Sequence, residues 1–68
     1  MTPQQKSVLK YMQTRRSITG MQALNKLGVA RLPARIAELK FHHKIDSKMV
    51  KVKNRHGEFV HVKKYWLV

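Results

Sequence analysis

Fifteen of the 68 residues are lysine or arginine, three are acidic, and the formal net charge is +12. The chemistry open to such a chain is that of cations. They pair with phosphates, and an arginine laid flat against a base edge bonds bidentately to guanine O6 and N7. Three groupings concentrate the charge. Arg31 and Arg35 stand one helical turn apart, with Glu38 just beyond. Lys51 and Lys53 alternate with valines, and Arg55 and His56 follow them. Arg15 and Arg16 are adjacent. Catalysis has little to work with. Glu38, Asp46 and Glu58 are separate in sequence, there is no cysteine nucleophile, and no Ser–His–Asp set stands out. The glycines at 20, 28 and 57 are isolated turn positions, not a phosphate-cradling loop. The chain therefore reads as a non-enzyme with no cofactor and no small-molecule ligand. His42 and His43 bring metal to mind, but neighbours on an extended chain point to opposite sides. Neither a cysteine nor a paired carboxylate accompanies them, so a loop or phosphate-facing role is expected.

Length and composition narrow the field. A chain this short makes one domain, taken as 1–68, and buries only about 60% of its unfolded surface. With no cysteine, neither a disulfide framework nor a zinc–cysteine site can reinforce the thin core. The 43% hydrophobic content argues against disorder. The charge thus sits on a folded surface, which calls for a polyanion. No apolar run approaches the ~20 residues of a membrane span, and the N-terminus lacks a signal-peptide core. An intracellular setting is compatible with this, and no membrane partner is expected.

The elements that must position these cations centre on Thr19 to Lys40. Thr19-x-x-Gln22 is a capping box. Ala23, Leu24 and Leu27 mark one helical face, and Gly28 follows where a left-handed residue ends the helix. Val29 plugs the turn. A second helix starts near Arg31, since Pro33 is tolerated only in a first turn. Leu32, Ile36 and Leu39 at i, i+4 and i+7 form its inward stripe. Arg31, Ala34, Arg35 and Glu38 then face away. Two short helices joined in this way are the layout of a helix-turn-helix, whose second helix enters the major groove.

On either side the chain supplies support. Thr2, Pro3 and Gln5 make a second capping box, and Val8, Leu9, Tyr11 and Met12 stripe a helix from about Pro3 to Thr14. Arg15 and Arg16 end it favourably for the helix dipole, or contact phosphate. Ser17-Ile18-Thr19 can pair briefly with a sheet. Phe41 is expected to close the core over the end of the third helix. From Met49 the period becomes two, and Met49–Lys53 and Phe59–Lys63 read as strands. Arg55-His56-Gly57 fits a three-residue hairpin loop with Gly57 left-handed. That register sets Val52 against Val60 and Val50 against Val62, with Lys51, Lys53 and His61 on the other face. The valine face is expected to cover the helices. Tyr65, Trp66 and Leu67 add bulk to the core. The fold expected is α+β: a winged helix-turn-helix of three helices and a C-terminal β-hairpin wing.

The line Ser17-Ile18-Thr19, Ala23-Leu24, Leu27-Gly28, then Arg31-Leu32-Pro33-Ala34-Arg35-Ile36-Ala37-Glu38-Leu39 resembles small helix-turn-helix proteins of phages and prophages. Those proteins share the motif line SIT–AL–LG–RLxARIxEL, a basic hairpin and an aromatic ending like Tyr65-Trp66-Leu67. The resemblance covers nearly the whole chain and implies a winged-helix DNA-binding protein. It departs at Pro33, where the pattern more often has serine, so a hydroxyl contact to phosphate does not carry over. The candidate DNA-binding residues are Arg31, Pro33, Ala34, Arg35 and Glu38 on the third helix, Lys51, Lys53, Arg55 and His56 on the hairpin, and Arg15 and Arg16. The function expected is sequence-specific binding of double-stranded DNA as a phage or prophage transcription regulator. Three alternatives stay open: an excisionase-like architectural factor, a basic RNA-binding protein, and an interaction module for a recombinase or polymerase; a recombinase or a second copy of the chain on DNA are further candidate partners. RNA readers expose aromatics on a sheet. The few aromatics here are wanted inside, which favours duplex DNA.

Overall fold

The computed structural model describes residues 2–68; Met1, counted in the expected domain, lies outside them. In chain order the elements are α1 (Pro3–Arg15), β1 (Ile18–Thr19), α2 (Gly20–Gln22) running into a π-helical turn (Ala23–Leu27), α3 (Leu32–Leu39), β2 (Ile45–Lys53) and β3 (Phe59–Leu67). The architecture is α+β, with the helices leading and one antiparallel sheet ordered β1-β3-β2.

Local sequence accounts for the boundaries. The Thr2 hydroxyl accepts the Gln5 N–H while Gln5 Oε1 accepts the Thr2 N–H, and Thr19 and Gln22 repeat the arrangement. Each box satisfies two donors that a helix start leaves without partners. Gly28 is left-handed, at φ 69°, and its N–H reaches the Ala23 and Leu24 carbonyls. Val29 then folds into the core. Pro33 lies in the first turn of α3, where it needs no N–H partner.

The core joins Val8 and Met12 of α1, Ile18 of β1, Ala23, Val29, the α3 stripe Leu32, Ile36 and Leu39, and Tyr65 of β3. Ile18 stands opposite Tyr65 in the sheet, so the two-residue strand β1 ties the helices to the hairpin. Leu9, Tyr11, Leu27, Ile45 and Leu67 pack around this cluster.

Four expectations are corrected. Leu24 does not share the inward face of Ala23: Ala23 is fully buried and Leu24 is exposed. The π turn winds with i→i+5 bonds, so spacing rules for an α-helix misplace its side chains. Phe41 does not close the core. The chain leaves α3 in a tight turn there, with the His42 and His43 N–H groups both on the Leu39 carbonyl, and Phe41 is left 86% exposed. Strand β2 begins at Ile45, because β3 runs to Leu67 and pairs with it along its whole length. Finally, the valine face covers the helices only in part: Val52 and Val62 line a cavity with Met21, Gln22 and Asn25 but stay outside the core. At the hairpin root the odd-numbered side packs inward, through Ile45, Tyr65 and Leu67. Further out that side emerges into solvent, and Val50, Val52, Val60 and Val62 on the even side are only half-buried, outside the core. The inward side changes between Lys48 and Met49, which are both exposed.

Candidate nucleic-acid interface

Helix α3 buries Leu32, Ile36 and Leu39 and presents the rest unevenly. Arg31, at its N-cap, is exposed, and so are Pro33, Ala37 and Lys40. Pro33, Ala37 and Lys40 fall at i, i+4 and i+7, which makes them one stripe along the helix. Ala34, Arg35 and Glu38 lie to one side of that stripe and are half-buried, because α1 packs alongside them. Arg35 and Glu38 therefore do not face freely outward as expected. Arg35 Nε lies 2.8 Å from Glu38 Oε1 without the alignment of a hydrogen bond, and its Nη1 donates to Gln4 Oε1 at 3.1 Å. Gln5 Nε2 donates to Glu38 at 2.8 Å. The same Gln5 side chain also caps α1, so one residue fixes the start of α1 and its docking on α3. Ala37 and Lys40 were missed by the sequence reading. The inward stripe alone places the outward face only to within the angle a neighbouring helix covers.

Arg31 starts α3 with φ −118° and ψ 60°, and no side chain caps the N-terminus. A cation at this end opposes the helix dipole, which favours negative charge there. An anion close by would relieve that opposition.

The hairpin builds the second cationic surface. Gly57 N–H donates to the Asn54 carbonyl and Asn54 N–H to the Glu58 carbonyl, which closes the expected loop Arg55-His56-Gly57. Gly57 has φ 81°. Asn54 Oδ1 accepts the His56 and Glu58 N–H groups at 2.9 and 3.0 Å, so the tip is braced from within. Arg55 and His56 project from it, exposed. The register matches expectation, Val52 with Val60 and Val50 with Val62. Lys51, Lys53, His61 and Lys63 accordingly share the exposed odd side. Met49 and Phe59 lie on that side too, so Phe59 stands exposed on the sheet rather than inside as expected, and Lys51 Nζ sits 4.7 Å from the centroid of its ring. At the root, Lys63 Nζ lies 5.8 Å from the Tyr65 ring, and burial pushes the Tyr65 phenol above its ordinary 10.0.

Arg15 and Arg16 lie exposed at the end of α1, as the sequence implied, and Arg16 carries a left-handed φ of 73°. Arg35–Glu38 is the one ion pair among the described residues. No group of three potential metal ligands converges among those residues. Among the described residues no helix is long and apolar enough to cross a membrane.

Comparison with known proteins adds one finding: residues 3–68 match a family described as a winged helix-turn-helix domain. Neither a curated protein nor a solved structure matches the chain.

Proposed function

The chain belongs to the winged helix-turn-helix domain family, which implies DNA as its partner, and from that premise we propose that it binds double-stranded DNA with α3 in the major groove and the hairpin along the backbone. The observation that carries this reading is the outer stripe of α3. It is exposed, contains no acid, and combines the cation Lys40 with the small apolar residues Pro33 and Ala37, while Arg31 stands exposed at the helix N-cap. A cation pairs with guanine O6 and N7, and an alanine or similar apolar surface meets a thymine methyl. Arg35, Glu38 and Ala34 act one step removed, by holding α3 against α1. Lys51, Lys53 and Lys63 meet successive phosphates, with Arg55 and His56 over the minor groove. Arg15 and Arg16 add backbone contacts.

The motif line shared with phage and prophage proteins supports a role in transcription regulation, and the excisionase-like role rests on the same line. Binding selection from a pool of randomised duplexes tests the molecular reading. A recovered consensus supports it. Equal or tighter binding to hairpin RNA in the same buffer would replace it with the RNA reading.

A further inference from the structure

The hairpin has a second cationic side. Lys48, Val50, Lys64 and Trp66 are even-numbered, so they lie on the side of the sheet opposite Lys51, Lys53 and Lys63. Past the end of α1 this side becomes an open groove. Met12, Val50 and Trp66 line it, together with the cations Arg16, Lys48 and Lys64. None of its lining residues is acidic. Asp46 stands across the strands from Trp66, with Oδ1 accepting the Ser47 N–H at 2.8 Å.

Gathering these cations is unfavourable in the protein alone. Lys48 and Lys64 are direct cross-strand partners, a placement in which like charges destabilise a sheet. Arg16, the left-handed residue that ends α1, brings a third cation to the groove. An anion among the three relieves the repulsion. The apolar floor calls for more than an anion, because Trp66 is half-buried with part of its surface open to the groove. A nucleotide supplies a phosphate and a flat ring in one unit. In a duplex the rings are stacked inside and cannot meet an indole, so the ring must come from an unpaired strand.

We propose that this groove binds single-stranded nucleic acid, one unpaired base stacking on Trp66 while adjacent phosphates lie among Arg16, Lys48 and Lys64. Apart from Arg16, which the duplex reading also uses for a backbone contact, the groove's residues are not those of the α3 and wing surface.

Trp66 is the sole tryptophan, which makes its emission a direct reporter. The full chain is titrated with a short thymidine oligonucleotide, an abasic oligonucleotide of equal length, a blunt duplex and a polyglutamate peptide. The expected result is strong quenching by the thymidine strand and little by the other three. Lys64→Glu separates binding from folding. Its carboxylate would face Lys48, so the melting temperature should hold or rise while affinity for the strand falls about tenfold or more. With a labelled strand followed by anisotropy, Trp66→Leu should weaken binding by about 5- to 150-fold, the worth of one stacked base. Arg31→Ala and Lys53→Ala, which impair the duplex surface, should leave the quenching intact. Equal quenching by polyglutamate would make the groove a seat for acidic peptides and overturn the proposal. So would equal quenching by the duplex, no quenching at all, or quenching unchanged in Lys64→Glu.

Discussion

Tyr65 and Phe59 stand on the same side of the same strand, yet Tyr65 is 6% exposed and Phe59 62%. Between them this side of the hairpin leaves the core behind. At its root Ile45, Tyr65 and Leu67 turn inward and Ile18 pairs alongside. At its tip the backbone ladder, the facing valines, a lysine over an aromatic ring and the braced loop hold the two strands. The root is fastened by the burial that stabilises the whole domain. The tip depends on strand pairing and on its loop. The difference teaches that stability and charge are segregated: the core holds the fold, and the outer hairpin is left to carry cations.

Mutations that respect this division should separate the two roles. Ile36→Ala, in the core, should show the largest effect. Truncating a buried isoleucine costs ~2–5 kcal/mol. Small domains have stabilities on the order of 5 kcal/mol, so the variant should be largely unfolded by circular dichroism. An unchanged melting curve would mean that α3 does not bury this side.

Gly57→Ala probes the tip. A Cβ there would meet nothing closer than Lys53 Cε at 3.7 Å, so the penalty comes from φ alone. A left-handed alanine costs about 1–2 kcal/mol, to be read from the shift of a denaturant midpoint. A neutral result would show that the loop relaxes without disturbing the core, which draws the division more sharply still.

Arg35→Ala should cost less, within ~1 kcal/mol, because the Arg35–Glu38 pair is partly exposed. Binding selection on this variant should return the wild-type consensus. A relaxed consensus would restore Arg35 to base reading.

The smallest effect belongs to Tyr65. Its phenol titrates higher in the fold than the ordinary 10.0 because burial disfavours the charged form. The neutral phenol therefore contributes stability below pH 10, and that contribution is lost as pH rises through the raised value. Melting curves of wild type and Tyr65→Phe should run together near neutrality. Above pH 10 the wild type should fall faster. Parallel curves throughout would show that burial of the phenol has no bearing on stability.

Much of this was legible in the sequence because it is written in short-range rules. The two capping boxes, Gly28, the first-turn Pro33 and the Asn54–Glu58 loop each depend on a few neighbouring residues. What escaped depends on distant parts of the chain. Whether Arg35 points outward is decided by Gln4 and Gln5, some thirty positions away, and by the path of α1. The valine alternation was read correctly as a strand. Which side of it meets the helices depends on where the helical layer ends, and no pattern within the strand carries that. Phe41 is expected to close the core, but the turn that ends α3 sets its direction instead. The α3 stripe of Pro33, Ala37 and Lys40 came into view only once α1 had covered its flank.

The central claim is that α3 reads the bases and the hairpin holds the backbone. The direct test is duplex binding by wild type, Arg31→Ala and Lys53→Ala, on preferred and scrambled sites across a series of salt concentrations. Arg31→Ala should lose about 1–3 kcal/mol on the preferred site and little on the scrambled one. Lys53→Ala should weaken both sites alike and lower the slope of log K against log salt by up to ~0.9, the loss of one phosphate contact. If both variants match wild type on both sites at every salt concentration, neither surface touches DNA and the account fails.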